Sequence, residues 1–159
     1  AIKGLALASL LLVAAGSVSA GVTVTYTNPA RFSDLPFPAW ERDDVLKELT
    51  EHFHKLGASL PPGVTVNVEV LDVDLAGRVH PNFRGARDLR VMRGMADWPV
   101  IHLRYTVEQD GQVMASREER LHDMTYLDSR RAPYFDGDAL RYEKAMLDKW
   151  FKERIVAQR

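Results

Sequence analysis

Alternating apolar and polar residues predict five strands in this chain of 159 residues. The clearest is VTVNVEVLD, residues 64–72, in which valine occupies every second position at the start. Similar alternation predicts strands at residues 22–27, 99–109 and 112–121, and a short strand at 88–93. Asp110-Gly111 predicts a tight hairpin between the last two long strands, because both turn positions favour positive φ.

Two helices are predicted from apolar residues that recur every three or four positions, the spacing of one buried helix face. The first covers residues 41–60, and the second covers 138–155 with Asp138 as its N-cap. The segment RFSDLPFPAW between the first strand and the first helix is expected to be irregular but packed on the body. The order of elements favours an α+β two-layer sandwich: a mostly antiparallel sheet of four to five strands with two helices on one face.

Residues 1–20 have the pattern of a secretory signal peptide. Lys3 supplies a positive charge, an apolar run extends from Leu5 to Ala15, and the small residues Val18-Ser19-Ala20 form a cleavage motif. The apolar run is shorter than the ~20 residues that a membrane-spanning helix needs. We therefore expect cleavage, a single mature domain over residues 21–159 without a transmembrane anchor, and a periplasmic location.

Composition narrows the chemistry that this protein can perform. The chain has no cysteine, which excludes disulfides, thiolate metal sites and cysteine nucleophiles. Without the leader it has 20 Lys and Arg against 22 Asp and Glu, a net charge of −2, which gives no global attraction to nucleic acid. It contains no Gly-x-Ser-x-Gly, no glycine-rich phosphate loop and no His-Glu-x-x-His. These absences favour a non-catalytic protein, and no cofactor is expected.

One charge pattern indicates a binding site. The stretch RGARDLRVMR places arginines at every third position: Arg84, Arg87, Arg90 and Arg93. In an extended segment this period keeps the guanidinium groups roughly on one side, where they can bind phosphate or carboxylate groups. The alternative is a solvated loop whose arginines pair with nearby aspartates, among them Asp72 and Asp74.

The acidic stretch DVDLAG, residues 72–77, has two interpretations. Asp72 and Asp74 would share one face of a continued strand and could bind a metal ion with Asp123, with help from His122. Ala76 stands where a calcium loop of the EF-hand type has an acidic ligand, and Phe83 stands at its twelfth position. The structural alternative is that the two aspartates end the strand before a glycine turn, with an arginine such as Arg90 folded back on them.

Four stretches together resemble a bacterial family known as domain of unknown function 3016: DVDLAG, LRVMRGMADWPVIHLRY, ERLHDMTYL and YEKAMLDKWFKE. The resemblance covers roughly residues 22–155. It implies an exported protein of Gram-negative bacteria. It implies no known activity and assigns no catalytic residue.

Three hypotheses about function follow. The first is a soluble periplasmic binding or accessory module that presents its sheet face or its arginine loop to an envelope protein or an anionic envelope component. The second is a metal-assisted hydrolase that uses Asp72, Asp74 and Asp123. The third is a structural module that self-associates through an exposed sheet edge.

Overall fold

The computed structural model describes residues 20–128 and 137–158, so residues 1–19 of the predicted signal peptide and residues 129–136 of the loop before the second helix lie outside the described part. The strands are β1 (Gly21–Tyr26), β2 (Val64–Asp74), β3 (Arg78–His80), β4 (Leu89–Val91), β5 (Val100–Gln109) and β6 (Gln112–His122). The helices are α1 (Ala39–Gly57) and α2 (Arg141–Trp150), with a short 3-10 turn at Pro29–Arg31.

Four strands form the main sheet in the order β1-β2-β5-β6. β2, β5 and β6 are antiparallel neighbours, and the predicted hairpin at Asp110-Gly111 is confirmed with positive φ at both residues. β1 pairs with β2 in parallel, because α1 carries the chain from one end of the sheet back to the other. β3 and β4 form a separate two-stranded sheet, and the sequence pattern had not indicated β3.

A bulge in β2 changes which residues face the core. Val70 pairs with Leu103 and Asp72 pairs with His102, so Leu71 is the extra residue. The buried positions therefore shift from even numbers before the bulge to Val73 after it. The strand continues through the acidic stretch, and both aspartates lie within β2 rather than beyond its end.

The core combines buried residues of the main sheet and of both helices. One hydrophobic cluster contains Leu49 and Phe53 of α1, Leu147 and Trp150 of α2, and the buried valines of β2. The Trp150 ring contacts the Tyr105 ring edge-on, with centroids 5.2 Å apart. Burying each large apolar side chain contributes about 1.5–3 kcal/mol, so this cluster dominates stability. The predicted α+β class is confirmed.

The second helix begins later than predicted and ends differently. Leu140, not Asp138, is the N-cap residue. Asp138 still stabilises the helix start, because its Oδ1 accepts a 2.9 Å hydrogen bond from the Leu140 N–H and its Oδ2 a 2.7 Å bond from Lys144 Nζ. After α2 the chain continues as a π-helical segment, Phe151–Val156.

The irregular segment before α1 is only partly packed. Phe32 and Leu35 lie against the core, as predicted. The prediction was wrong for Phe37, which is 96% exposed, and for Trp40, which is about half exposed. Both aromatic side chains lie on the surface, and the Trp40 ring contacts Arg87 of the arginine-rich segment.

Candidate functional site

The arginine cluster lies on the β3–β4 hairpin, which leaves the main sheet directly after the acidic stretch. Gly77, at φ +82°, makes the bend, and its N–H donates a 2.8 Å hydrogen bond to the carbonyl of Asp97. A Cβ on Gly77 would lie 2.7 Å from the carbonyl oxygen of Val91, so this position requires glycine. We call residues 78–93 the arginine hairpin; it contains five arginines and one aspartate.

Arg90 points inward and is fully engaged. Its Nη1 and Nη2 donate to the two carboxylate oxygens of Asp34 at 2.7 and 3.2 Å, and Nη1 also lies 3.3 Å from the carbonyl oxygen of Ala76. Both charged side chains are about one-fifth exposed. This bidentate geometry is the strongest form of arginine–carboxylate contact. Arg90 therefore joins the hairpin to the segment before α1, on Asp34 rather than on the acidic pair of the sequence-based alternative.

Arg87 is half engaged. Its guanidinium carbon lies 4.6 Å from the centroid of the Trp40 ring, a cation–π contact. Its Nε is 3.9 Å from Oε1 of Glu41, beyond hydrogen-bond distance, and the side chain is 63% exposed. Arg87 thus covers Trp40 and keeps donors for a ligand.

Arg84 and Arg93 bond only through their backbones. The Arg84 N–H donates to Oδ1 of Asn82 at 3.3 Å, and the Arg93 N–H to Oδ2 of Asp97 at 2.7 Å. Within the described residues, neither guanidinium has a hydrogen bond or an ion pair, and both side chains are exposed. The four predicted arginines therefore divide into one that is buried in a pair, one that covers a ring, and two that are free.

Apolar side chains are exposed beside these free arginines. Phe83, at the tip of the hairpin, is 97% exposed, and Leu89 is about half exposed. Phe37 lies between Asp34 and Trp40 in the chain, the two residues that contact the hairpin. The tip of the hairpin therefore combines the free guanidinium group of Arg84 with the exposed phenyl ring of Phe83.

The two aspartates of the acidic stretch, Asp72 and Asp74, lie on β2 and contact the segment that precedes α1. Asp72 accepts hydrogen bonds from the backbone N–H and the hydroxyl of Ser33 at 2.6 and 2.5 Å. Asp74 lies 3.7 Å from Nη1 of Arg78. Burial raises the pKa of Asp74; Arg78 opposes that change, whereas the nearby carboxylates of Asp34 and Asp72 add to it. Both aspartates thus have partners within the fold.

Asp123 does not lie beside Asp72 and Asp74. Its Oδ1 accepts 3.1 Å hydrogen bonds from the backbone N–H and hydroxyl of Thr125, which closes the turn after β6. Asp74 and His122 pair with Val100 from opposite sides, which separates them by two strand spacings, about 10 Å. In the part of the chain that the structure describes, no three His, Asp or Glu side chains are grouped to hold a metal ion.

A buried carboxylate that the sequence analysis missed supports the acidic stretch. Glu143 of α2 is 1% exposed, and its Oε1 accepts a 2.7 Å hydrogen bond from the Ala76 N–H. Its Oε2 has no partner among the described residues. Burial raises the pKa of Glu143, and the Ala76 N–H opposes that change. Glu143 is spaced at three and four residues from Met146 and Leu147, so helical periodicity alone could have placed it on the buried face.

A second buried acid holds the base of the hairpin. Asp97 accepts a 2.7 Å hydrogen bond from the Tyr126 hydroxyl, and this hydroxyl accepts a 3.2 Å bond from the Gly94 N–H. Burial acts to raise the pKa of Asp97, but the hydrogen bonds from Tyr126 and the backbone outweigh it and lower the pKa. Burial and the Asp97 contact raise the pKa of Tyr126 to about 12.

The histidines do not form a joint site. His52 is buried with its Nε2 2.8 Å from Oδ1 of Asp148, and His102 Nε2 lies 2.8 Å from Oε1 of Glu118. In the strand register His102 is opposite Arg120, so it does not meet His122 directly across the hairpin.

Comparison with known proteins gives one result. The chain matches the model of the family described as "Protein of unknown function (DUF3016)" over residues 20–153. No curated protein and no solved structure matches it. No helix in the described ranges is long and apolar enough to cross a membrane. The match spans well over half of the chain and agrees with the resemblance carried by its sequence motifs, so the protein belongs to the DUF3016 family.

Proposed function

We propose that this protein is a periplasmic, non-catalytic binding module whose arginine hairpin binds an anionic component of the cell envelope. One observation carries the proposal: the guanidinium groups of Arg84 and Arg93 are exposed and have no partner among the described residues. Planar guanidinium groups bind phosphate and carboxylate oxygens in pairs of hydrogen bonds. An anionic ligand can therefore use them without breaking an existing ion pair.

The hairpin is supported from several sides, which favours a binding role. Arg90 fastens it to Asp34, and the Arg93 N–H and the Gly77 N–H both donate to Asp97. Arg87 rests on Trp40. A preorganised surface loses less conformational entropy when a ligand binds. The donors on the hairpin are thus presented on a fixed base.

The polar face of the sheet is the weaker candidate surface. In the two-layer arrangement that we propose, both helices cover one face and leave this face open to solvent. Its polar groups already bond one another across the strands, in the pairs Thr23–Asn67, Thr27–Glu69, Glu69–Arg104, Asn67–Glu108 and His102–Glu118. A ligand here would have to replace contacts that exist, which costs binding free energy.

Export to the periplasm is supported by the sequence of residues 1–20. β1 begins at Gly21, so cleavage after Ala20 would leave all described strands and helices intact. Fractionation of cells that produce the tagged chain, followed by N-terminal sequencing, tests this part. We expect periplasmic protein that starts near Gly21, and full-length protein retained in the cytoplasm would contradict it.

Salt-dependent retention on a phosphate-bearing resin tests the binding role. The variant Arg84→Glu/Arg93→Glu should elute at much lower salt than the wild type, because two free donors become repulsive charges. Arg117→Glu/Arg120→Glu is the matched control: it makes the same change in net charge at exposed positions on β6. If the two variants elute together, net charge rather than the hairpin determines retention, and the proposal fails.

A second experiment asks whether the hairpin contacts its partner in the cell. Crosslinking of the tagged wild type in cells, beside the two charge variants, should yield a species that only the Arg84→Glu/Arg93→Glu variant loses. A species captured equally by all three proteins would place the contact elsewhere. Circular dichroism and thermal melting must first show that both variants are folded.

A further inference from the structure

The surface around the free arginines carries bare phenylalanines, and an anionic ligand alone does not explain them. Phe83 and Phe37 are 97% and 96% exposed, close to the maximum for a side chain. Exposed apolar patches rimmed by polar residues mark sites of interaction with proteins or membranes. A soluble polyanion would contact the guanidinium groups and leave both rings in solvent.

We propose that the arginine hairpin docks on a membrane surface that contains anionic phospholipids, with Phe83 and Phe37 inserted among the lipids. This inference rests on the proposed function and names its ligand: the anionic component is a lipid headgroup in a bilayer. Arginines at the headgroup level and aromatic rings just below it are the two elements of a peripheral membrane contact.

Charge complementarity supports this occupant. The hairpin holds five arginines and one aspartate, whereas the whole chain has a formal net charge of −1. The positive charge is therefore concentrated on one short segment, and the rest of the molecule is net negative. An anionic membrane would attract the hairpin and repel the remaining surface, which orients the protein.

The placement of the rings supports it as well. Phe83 lies in the connection between β3 and β4, beside Arg84, so it projects from the tip of the hairpin. Phe37 is three residues from Asp34 and three from Trp40, which both contact the hairpin. Three residues span at most about 11 Å, so the Phe37 backbone lies within that reach of both contacts with the hairpin. Projecting rings without a complementary groove suit a fluid lipid layer better than a shaped protein pocket.

Vesicle co-sedimentation tests the inference on the mature chain. The probes are vesicles of phosphatidylcholine alone and vesicles that also contain phosphatidylglycerol. We expect the wild type to bind only the anionic vesicles, and the variant Phe37→Ser/Phe83→Ser to bind them at least tenfold more weakly. Arg84→Glu/Arg93→Glu should show a loss of similar size, because both the charges and the rings contribute.

Val113→Ser/Met114→Ser is the matched control for the rings, since it removes two exposed apolar side chains at the far end of the β5–β6 hairpin. It should bind anionic vesicles like the wild type. As an independent readout, the single variant Phe83→Trp should show a blue shift of its fluorescence, relative to the wild type, when anionic vesicles are added. All variants change exposed positions, so unchanged thermal melting is expected and verifies folding.

The outcomes separate the two proposals. Retention on the phosphate resin without vesicle binding would overturn the membrane inference and leave the binding function standing. Vesicle binding that the Arg84→Glu/Arg93→Glu variant loses but the Phe37→Ser/Phe83→Ser variant keeps would overturn insertion. Failure to bind either the resin or the vesicles would overturn the proposed function together with the inference.

Discussion

Glu143 of α2 accepts a 2.7 Å hydrogen bond from the backbone N–H of Ala76, which lies 67 residues earlier in the chain. The carbonyl of the same Ala76 lies 3.3 Å from Nη1 of Arg90, and Arg90 in turn binds Asp34. One backbone unit thus links the last helix, the arginine hairpin and the segment before α1. The acidic stretch DVDLAG therefore has a structural task at its Ala76 position, next to its aspartates.

The buried carboxyl of Glu143 makes stability depend on pH. Burial raises the pKa of Glu143 above the ordinary value of 4.5, whereas a glutamate in the unfolded chain has a pKa of about 4.3. The protonated Glu143 carboxyl thus contributes fully to the free energy of unfolding below the unfolded pKa, and this contribution is lost as pH rises through the folded pKa. Glu143→Gln removes the ionisation and keeps an oxygen for the Ala76 N–H.

We therefore expect Glu143→Gln to be more stable than the wild type at neutral pH, with a difference that shrinks as pH falls through the folded pKa of Glu143 and is lost below about 4. Urea unfolding at a series of pH values measures it. A stability difference that stays constant across the series would show that the pKa of this carboxyl is the same in the folded and unfolded states.

Alanine variants of Arg90 and Arg84 should distinguish an arginine that stabilises the fold from one that does not. Arg90→Ala leaves the Asp34 carboxylate without its partner and should reduce the free energy of unfolding by about 2–3 kcal/mol. Arg84→Ala removes no contact and should change it by less than about 0.5 kcal/mol. Denaturant unfolding of both variants gives the comparison. Equal effects would mean that the Arg90–Asp34 pair does not support the fold.

Two glycines with similar φ give a matched test of the bend before the hairpin. Gly77 and Gly111 have φ +82° and +83°, but only the Cβ of an alanine at Gly77 would meet another backbone, whereas that at Gly111 would meet nothing within 4 Å. Gly111→Ala should lower the free energy of unfolding by about 1–2 kcal/mol, because alanine is strained in the left-handed conformation. Gly77→Ala should cost clearly more, because the Val91 carbonyl must also move. Thermal unfolding that ranks the two in the opposite order would contradict the geometry.

The contacts of Asp72 lead to a prediction about the metal alternative. Asp72→Ala should lower the free energy of unfolding by about 1–2 kcal/mol. About half of that loss should disappear in a Ser33→Ala background, because the Ser33 hydroxyl supplies one of the two bonds to Asp72 and the backbone N–H of residue 33 keeps the other. Melting curves with added Mg²⁺, Ca²⁺ or Zn²⁺ provide the second readout. If any of these ions stabilises the wild type but not an Asp72→Asn/Asp74→Asn variant, the hydrolase hypothesis regains support.

Local patterns predicted the main sheet well. The alternation in VTVNVEVLD and the Asp110-Gly111 turn have direct physical causes in the chain itself: side chains alternate across a strand, and the turn needs positive φ. All four strands of the main sheet and both helices follow from such signals. The α+β class could therefore be predicted without any tertiary information.

The partners of charged residues could not be predicted in this way. Arginines at every third position suggested four equivalent side chains, but only Arg90 lies in the strand Leu89–Val91 and reaches Asp34. Arg84 and Arg93 lie outside this strand and are exposed. The choice of Asp34 as partner depends on a contact across 56 residues of sequence. The bulge at Leu71 and the hydrogen bond from the Ala76 N–H to Glu143 likewise depend on neighbours that only the folded chain supplies.

The difference between what the sequence predicts and what it does not predict has a simple physical reason. Backbone conformation and the side that each residue faces depend on interactions over a few residues, so hydrophobic periodicity predicts strands, helices and the α+β class. Which charges are paired, which backbone group bonds the buried carboxylate and which rings remain exposed depend on the packing of distant segments, here α2 against Ala76 and the hairpin against Asp34. The candidate binding surface is made of what that packing leaves unpaired, and only the tertiary structure decides this.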